Sequence, residues 1–385
     1  MPDSMVHCTL ERVRLAIVTQ DFPPETGGIQ TYVGRLAEHI HPLCEHLVVV
    51  APDHPAAALV DPSLPFAVER LRIHSSWLVL ALAARLRRIL KRHGITHILY
   101  AQWFPAMAPT KHGIVRATLV HGRELLRHPL GSMGLRFASR TLEAMDLVLP
   151  NSRATASLLP SGIAPAKIRV VHPGVDLDKL RPPSTDQRLA LRQRLGIAPE
   201  TPVVTTLARL VERKGIDTLL RSMKILAKDH PDVRLLIGGT GPDRRRLESI
   251  VREGDLEKCA TFCGKIPDEE LPSFLSLGVF ALLSRQTPRD VEGFGMVLAE
   301  AQACGGVVVA ARSGGMPEAV GPGAGSIVEE NSPESAAEAL SSYLDDQAKS
   351  LEASARGVVF AQRLSWESRA REIFQALQST TCGPG

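Results

Sequence analysis

Long uncharged apolar stretches are absent from this sequence. No run of about 18 such residues occurs, which excludes a transmembrane helix. Residues 1–14 contain no apolar segment of signal-peptide length before charged residues begin, so secretion is not expected. The cysteines are scattered, and only Cys259 and Cys263 lie close together, without a second pair to complete a zinc set. These features predict a cytoplasmic protein with reduced thiols.

A strong excess of one charge is also absent, because the net charge is only +4. Hydrophobic residues make up 44% and charged residues 22%, which excludes disorder and collagen-like repeats. At roughly 150 residues per domain, the chain is expected to hold two domains. Residues 1–180 carry 20 Lys and Arg against 14 Asp and Glu, whereas the remainder carries 25 against 27. The basic first half favours an anionic partner, and no nucleic acid is expected.

Short apolar runs alternate with amphipathic stretches in both halves. The runs typical of buried parallel strands are 13–20, 47–52, 96–101, 116–122 and 146–152, then 203–210, 233–241, 279–285 and 305–312. A proline-containing segment, 169–187, separates the halves. Right-handed crossovers then predict an α/β fold of two Rossmann-like, doubly wound parallel sheets facing across a cleft. The predicted domains are 1–180 and 181–359.

The turn after the first strand contains Gly27 and Gly28, and a helix is predicted to begin at about Ile29. Glycines allow close backbone approach, and free amides at a helix N-terminus attract phosphate. The Gly-x-Gly-x-x-Gly fingerprint is absent, and a tight strand-to-helix turn explains the glycines equally well. His121 ends another strand and is expected to donate to a sugar or phosphate oxygen, although a lone histidine is often structural.

The loop after the first strand of the second half carries Arg209 and Lys214. A guanidinium fork and an ammonium group together make a phosphate clamp that would neutralise a leaving diphosphate without a metal. A solvated basic loop is the alternative interpretation. Further glycine-rich turns, one of them containing Gly241, follow other strands and are ordinary turns unless the fold places them beside a ligand.

Two glutamates flank a predicted helix start. Glu292 precedes the turn 293–295, and Glu300 lies roughly 7 Å along the helix that begins at about Met296. Carboxylates bind vicinal hydroxyls, so this spacing suits a ligand with hydroxyls on both sides of a diphosphate, as in a nucleotide sugar. The alternatives are a dipole-favourable acid at Glu292 and a half-exposed helix residue at Glu300.

These motifs resemble those of retaining glycosyltransferases of the GT-B fold, the large family that includes bacterial mannosyltransferases and sucrose-phosphate synthase. The resemblance spans about residues 13–375, and its most specific part is the Glu-x7-Glu motif from Glu292 to Glu300. The arginine–lysine pair and the first glycine turn also match. The segments 21–30 and 289–305 are most similar to the phosphatidylinositol mannoside mannosyltransferases that use GDP-mannose.

The resemblance implies a donor site for a nucleotide diphosphate sugar. The implied residues are Gly28, Arg209 and Lys214 at the diphosphate; His121 and Glu292 at the transferred sugar; the turn residues Gly293, Phe294 and Gly295, together with Gly241, in the same site; Glu300 at the ribose; and Lys265 and Ile266 beside the base.

The resemblance also implies transfer with retained configuration, no cofactor and no bound metal. The Asp-x-Asp at 176–178 lies in the predicted linker, where it makes a poor metal site. The leaving phosphate itself would accept the proton of the acceptor. UDP-glucose and UDP-N-acetylglucosamine remain alternative donors. The rival classes are an epimerase, a nicotinamide enzyme and an inactive nucleotide-sugar-binding protein. The Glu-x7-Glu spacing argues against an epimerase, and the missing Gly-x-Gly-x-x-Gly fingerprint argues against a nicotinamide enzyme. The complete set of Arg209, Lys214, Glu292 and Glu300 argues against an inactive protein.

The acceptor is predicted to be lipid-linked or a glycan, bound by the first domain. The stretch 81–94 is basic and amphipathic, and a docking surface for anionic lipid headgroups is expected there, with a solvated helix as the alternative. The arginines of this region are Arg85, Arg88, Arg92, Arg123, Arg127, Arg136 and Arg140. The C-terminal helix, 360–378, is expected to pack on the first domain through Trp366.

Overall fold

The computed structural model describes residues 13–25, 27–71, 78–108, 113–126 and 131–380, in which strands and helices alternate. The strands are β1 (Arg14–Val18), β2 (His46–Pro52), β3 (Ala67–Leu71), β4 (His97–Tyr100), β5 (Val115–Val120), β6 (Leu147–Pro150), β7 (Val203–Leu207), β8 (Arg234–Gly238), β9 (Ala260–Gly264), β10 (Val279–Leu282), β11 (Val307–Ala311) and β12 (Gly325–Val328). The helices are α1 (Gly28–Ile40), α2 (Ala57–Val60), α3 (Leu78–Arg92), α4 (Arg123–Leu126), α5 (Gly131–Glu143), α6 (Arg153–Ala156), α7 (Thr185–Arg194), α8 (Ile216–Leu226), α9 (Arg244–Glu253), α10 (Leu271–Leu275), α11 (Met296–Ala303), α12 (Pro333–Leu344), α13 (Gln347–Gln362) and α14 (Trp366–Ser379).

The described strands form two six-stranded parallel sheets, with the orders β3-β2-β1-β4-β5-β6 and β12-β11-β10-β7-β8-β9. When the strands of each sheet are numbered in chain order, the first sheet has the order 3-2-1-4-5-6, and the second sheet has the same order when it is read from β9 to β12. This is the doubly wound arrangement. The prediction of two Rossmann-like sheets is confirmed. The strand order reverses between β1 and β4 and between β7 and β10, and ligands of such sheets bind outside the carboxyl ends of the strands at that reversal.

Two compact units divide the chain. Among the described residues, the first unit comprises those up to Asn151, Ala156–His172 and those from Trp366 onward, and the second comprises Ser152–Thr155 and Pro173–Ser365. Helix α14 therefore belongs to the first unit. There the indole of Trp366 lies edge-on to the ring of Tyr32 in α1, with 5.0 Å between the ring centroids.

Strands β3, β9 and β12 lie outside the apolar runs that the sequence patterns predict. All three lie at the edge of a sheet, where a strand is less covered than in the centre. Strand β3 contains Glu69 and Arg70, β9 contains Thr261 and ends with Gly264, and β12 has only four residues and begins with Gly325. None of these sequences therefore shows the continuous apolar run that marks a central parallel strand.

Helix α3 turns one face toward the core of the first unit. Its Leu86, Ile89 and Leu90 are buried, as the predicted amphipathic pattern requires. Its exposed basic residues are Arg85, Arg87, Arg88, Lys91 and Arg92. Arg127, which the prediction adds to this basic region, lies outside the described residues. Of the helices in the described ranges, none combines the length and apolar character needed to cross a membrane.

Candidate active site

The predicted residues of the second unit lie on loops that leave the carboxyl ends of its central strands. Arg209 follows β7, Gly241 follows β8, and Glu292 lies between β10 and α11. Strands β7 and β10 are the neighbours between which the sheet order reverses. These residues therefore occupy the edge at which open α/β sheets bind ligands.

A cavity of about 600 Å³ brings Arg209, Gly241 and Glu300 together. The loops after β7 and β8 are joined by a hydrogen bond from the amide of Leu210 to the carbonyl of Thr240, at 2.9 Å. A Cβ atom on Gly241 would lie 2.2 Å from the carbonyl oxygen of Leu210, so only glycine fits there. The glycine of this turn thus permits the close loop contact that shapes the cavity.

Two groups with complementary chemistry line this cavity. The side chain of Arg209 is exposed, and in the described part of the chain it has no hydrogen-bond or ion-pair partner. Glu300 projects from α11 and is partly buried. Its burial, together with the negative charge of Asp176, raises the pKa of Glu300 to about 7. The cavity therefore offers an available cation and a carboxyl group that changes charge near neutral pH.

Glu292 forms a compact ion cluster with two cations. Its Oε2 atom accepts hydrogen bonds from Nζ of Lys214 at 2.5 Å and from Nη1 of Arg213 at 2.7 Å. Burial acts to raise the pKa of Glu292, but the charges of Lys214 and Arg213 outweigh it and lower the pKa to about 2. The carboxylate is consequently ionised throughout the neutral range, and Lys214 is held in place by it.

Arg213 belongs to the ion cluster around Glu292 and is not among the residues that the sequence predicts for the site. It precedes Lys214 in a short 3₁₀ turn, Glu212–Lys214, and its Nε atom lies 3.1 Å from Oδ2 of Asp290. The adjacent cation in the sequence was the available signal. Whether Lys214 alone or both Arg213 and Lys214 face Glu292 depends on the conformation of the turn, which the spacing of residues in the sequence does not reveal.

The glycine turn before α11 is held rigidly. Gly295 occupies the N-cap position with a φ of 87°, a left-handed conformation that favours glycine. The ring of Phe294 is buried, and the amide of Gly315 donates to the carbonyl of Glu292 at 2.9 Å. Among the described residues, no side chain caps the start of α11. The first backbone amides of this helix are therefore available to bind an anion. Gly293 directly follows Glu292, so these amides lie close to Glu292 along the chain.

The structure does not bring the side chains of Lys265 and Ile266 to the cavity. Ile266 is buried in an apolar cluster with Leu236 and Phe274, and Lys265 is exposed. Their predicted position beside a nucleotide base stays a prediction.

The first unit holds the two remaining predicted residues. Gly28 is the first residue of α1 and is exposed at the carboxyl end of β1, close to the predicted helix start. The Nε2 atom of His121 lies 2.9 Å from the carbonyl oxygen of Ala101. A carbonyl only accepts hydrogen bonds, so Nε2 carries the proton and Nδ1 of the neutral ring is an acceptor. The predicted donation from His121 to a sugar or phosphate oxygen would therefore have to come from Nδ1, which carries a proton only when both ring nitrogens are protonated.

Across the ranges that the structure describes, no group of three or more His, Cys, Asp or Glu side chains is arranged to hold a metal ion. The Asp-x-Asp segment contributes instead through Asp176, whose charge acts on Glu300.

Two doubly wound sheets in separate units, with a Glu-x7-Glu set at the ligand edge of the second, define the GT-B class of glycosyltransferases. Solved structures share this fold. HepE of Anabaena in complex with UDP is 21% identical and has a TM-score of 0.80, with 95% of this chain and 100% of that chain covered. Sucrose-phosphate synthase from Thermosynechococcus elongatus is 23% identical and has a TM-score of 0.77, with 94% and 98% covered.

The family follows from the sequence comparisons. Residues 187–378 match the model for glycosyl transferases group 1, and residues 26–179 match the model for glycosyltransferase family 4. A GDP-mannose-dependent alpha-(1-6)-phosphatidylinositol monomannoside mannosyltransferase of Mycobacterium tuberculosis is 33% identical, with 95% of this chain and 98% of the relative covered. A relative from Corynebacterium glutamicum, named as acting on the monoacylated monomannoside, is 30% identical, with 94% and 97% covered. The chain belongs to the group 1 glycosyl transferase family and is a hexosyltransferase.

Proposed function

We propose that the protein transfers a mannosyl group from GDP-mannose to a lipid-linked mannoside, with retention of configuration and without a metal ion. The observation that carries this proposal is the cavity in which the guanidinium of Arg209, which has no partner among the described residues, and the carboxyl group of Glu300 face the same space. The donor and acceptor classes are supported by the activities for which relatives that match nearly the whole chain are named.

The positions of the charged and carboxyl groups in this site favour one orientation of the donor. Arg209 would bind the diphosphate, and the free amides at the start of α11 would share its negative charge. Glu300, further along the same helix, would accept hydrogen bonds from the ribose hydroxyls. The helix rises 1.5 Å per residue, so the distance from its start to Glu300 suits a phosphate-to-ribose spacing.

The ion cluster bears on the chemical step. The bond from the anomeric carbon to the diphosphate oxygen breaks, the acceptor oxygen bonds to that carbon, and the acceptor proton passes to the leaving phosphate. Lys214 and Arg209 would stabilise the charge that develops on the phosphate. Glu292 is a weak base because two cations hold it, which favours a role in positioning Lys214 and the sugar over attack on the sugar.

A nucleotide-release assay tests this function. We expect the chain to release GDP from GDP-mannose in the presence of EDTA, and to do so faster when phosphatidylinositol monomannoside is added in mixed micelles. UDP-glucose and UDP-N-acetylglucosamine should give little UDP under the same conditions. Preferential cleavage of a UDP-sugar would contradict the proposed donor, and loss of all activity in EDTA that Mg²⁺ restores would contradict the metal-free reaction.

We also propose that the exposed basic face of α3 binds an anionic membrane surface. Its apolar residues, Leu86, Ile89 and Leu90, are buried in the core of the first unit, so the contact would be electrostatic. The face of α5 that carries Arg136 and Arg140 also exposes Met133 and Phe137, which would add an apolar contact.

Co-sedimentation with vesicles of phosphatidylinositol and phosphatidylcholine tests the membrane contact. Because each basic residue near such a surface contributes about 1 kcal/mol, the double variant Arg88→Glu, Lys91→Glu should bind at least about tenfold more weakly at low salt. The matched variant Lys224→Glu, Lys228→Glu changes two exposed lysines of the second unit and should bind like the wild type. Equal binding by the wild type and the α3 variant would refute the role of α3.

A further inference from the structure

A buried carboxylate lies three residues after Lys214, in the first turn of α8. Asp217 is only 3% exposed. Its Oδ1 atom accepts a hydrogen bond from Nη2 of Arg285, whose side chain is itself largely buried. Two more exposed arginines, Arg246 and Arg221, lie 3.4 and 3.8 Å from its Oδ2 atom. The pair of Asp217 and Arg285 is therefore the part of this group that solvent and salt screen least.

Arg285 joins this carboxylate to the turn that carries Lys214. It follows β10, and its backbone amide donates a hydrogen bond to the carbonyl of Arg213 at 2.8 Å. Arg285 thus holds the turn Glu212–Lys214 through its main chain and the start of α8 through its side chain. Lys214 lies between these two points of attachment along the chain.

The segment from Leu283 to Arg285 is packed tightly against the same turn. Gly215 directly follows Lys214, and a Cβ atom on it would lie 1.9 Å from the carbonyl oxygen of Leu283. The hydroxyl of Ser284, which is fully buried, donates to Oε2 of Glu292 at 3.4 Å. One short segment therefore contacts the backbone beside Lys214 and the carboxylate that binds the ammonium group of Lys214.

The position of the Lys214 ammonium group depends on this support. A lysine side chain is a point charge on a flexible stem, so its location is set by its backbone and by its partner. Glu292 is the partner, and the turn sets the backbone. A displacement of about 1 Å at a group that acts on the reacting atoms costs up to about 100-fold in rate.

We propose that Asp217 and Arg285 are positioning residues for the transfer step, because their ion pair fixes the turn Glu212–Lys214 and thereby the ammonium group that meets the leaving phosphate. Among the described residues, those that line the cavity include neither of the two, so they act through Lys214 and not on the donor. This inference rests on the proposed function, which assigns the leaving phosphate to Lys214.

A double-mutant cycle in the full chain tests the proposal. Asp217→Asn removes the charge and keeps the shape, so it should lower kcat for release of GDP from GDP-mannose, with acceptor present, by about tenfold or more. In the Lys214→Met background the same substitution should change kcat by less than about twofold, because residues that act as a unit are not additive. The Kd of GDP, measured by calorimetry, should stay that of the wild type, since Arg209 is untouched.

Asp186→Asn is the matched control, because it removes an exposed acid from the first turn of α7 by the same substitution. Its kcat should equal that of the wild type, and thermal unfolding of each variant measures stability separately. A fall in kcat by the same factor with and without Lys214 would overturn the proposal, because a merely structural loss acts equally in both backgrounds.

Arg285→Lys covers the case in which Asp217→Asn does not fold. It keeps the charge and the main-chain hydrogen bond to Arg213 but loses the guanidinium fork that meets Asp217. It should lower kcat several-fold only when Lys214 is present, and the exposed Arg252→Lys in α9 should have no effect. Unchanged kcat in a folded variant of either residue would overturn the proposal.

Failure of the proposed function gives a different result. A wild type that cleaves a UDP-sugar and not GDP-mannose would contradict the proposed donor, and the same cycle would then be measured by release of UDP. Additive effects in that cycle would overturn the positioning role, whereas loss of the effect of Asp217→Asn in the Lys214→Met background would support it.

Discussion

Replacing Lys214 by methionine is expected to lower the rate of mannosyl transfer by about 10²–10³-fold. Removal of one group that stabilises developing negative charge has an effect of this size on the chemical step. The loss should lie in kcat at saturating donor, because Arg209 and the amides of α11 remain to bind the diphosphate. Steady-state release of GDP, with acceptor present, measures both constants.

The variant should still fold, because Arg213 continues to pair with Glu292 in its absence. Lys224→Met is the matched control, since it removes an exposed lysine of α8 by the same substitution. Thermal unfolding of both variants separates stability from activity. A fall in kcat no larger than that of the control would show that Lys214 does not act on the leaving phosphate.

Replacing Glu300 by glutamine is expected to weaken binding of GDP-mannose and to remove its dependence on pH. The pKa of Glu300 is about 7, whereas ribose hydroxyls bind the ionised form best. Affinity in the wild type should therefore rise as pH increases toward 7 and level off above it, with up to about a tenfold change per pH unit on the acid side. Above pH 7 the variant should bind about tenfold or more weakly.

The raised pKa of Glu300 also predicts that the stability of the fold decreases as pH rises, whereas the affinity for the donor increases. The pKa of Glu300 in the fold lies above its ordinary value of 4.5, so its neutral form is the one that the fold favours. Stability from this group is full below about pH 4.5 and is lost as pH rises through about 7. Glu300→Gln should remove that loss, and Glu338→Gln on the surface of α12 should not. Calorimetric titration and thermal unfolding across pH measure the two effects, and a flat wild-type profile would contradict both.

The fold was largely predictable because central parallel strands carry their own signature. Strands such as β2 and β11 are buried on both faces, so their sequences are almost continuous in valine and alanine. Edge strands lack that requirement, and β3 carries Glu69 and Arg70 in consecutive positions. Their existence follows from pairing with a neighbour, which a single segment does not reveal.

The candidate site was predictable where a single segment of the sequence contains both functional side chains at a fixed spacing. The interval from Glu292 to Glu300 fixes two carboxylates along α11, whatever surrounds them. Contacts between distant segments were not predictable. The hydrogen bond from Gln102 to Asp21 joins residues 81 positions apart, and the proton on Nε2 of His121 is set by the carbonyl of Ala101, which follows β4. Both depend on which strands become neighbours.

A structure of the full chain with GDP-mannose bound tests the donor site most directly. The diphosphate should lie within hydrogen-bond distance of Arg209, Lys214 and the first amides of α11, with the ribose hydroxyls on Glu300. Nucleotide bound in the first unit, or at the amino edge of the second sheet, would contradict that assignment.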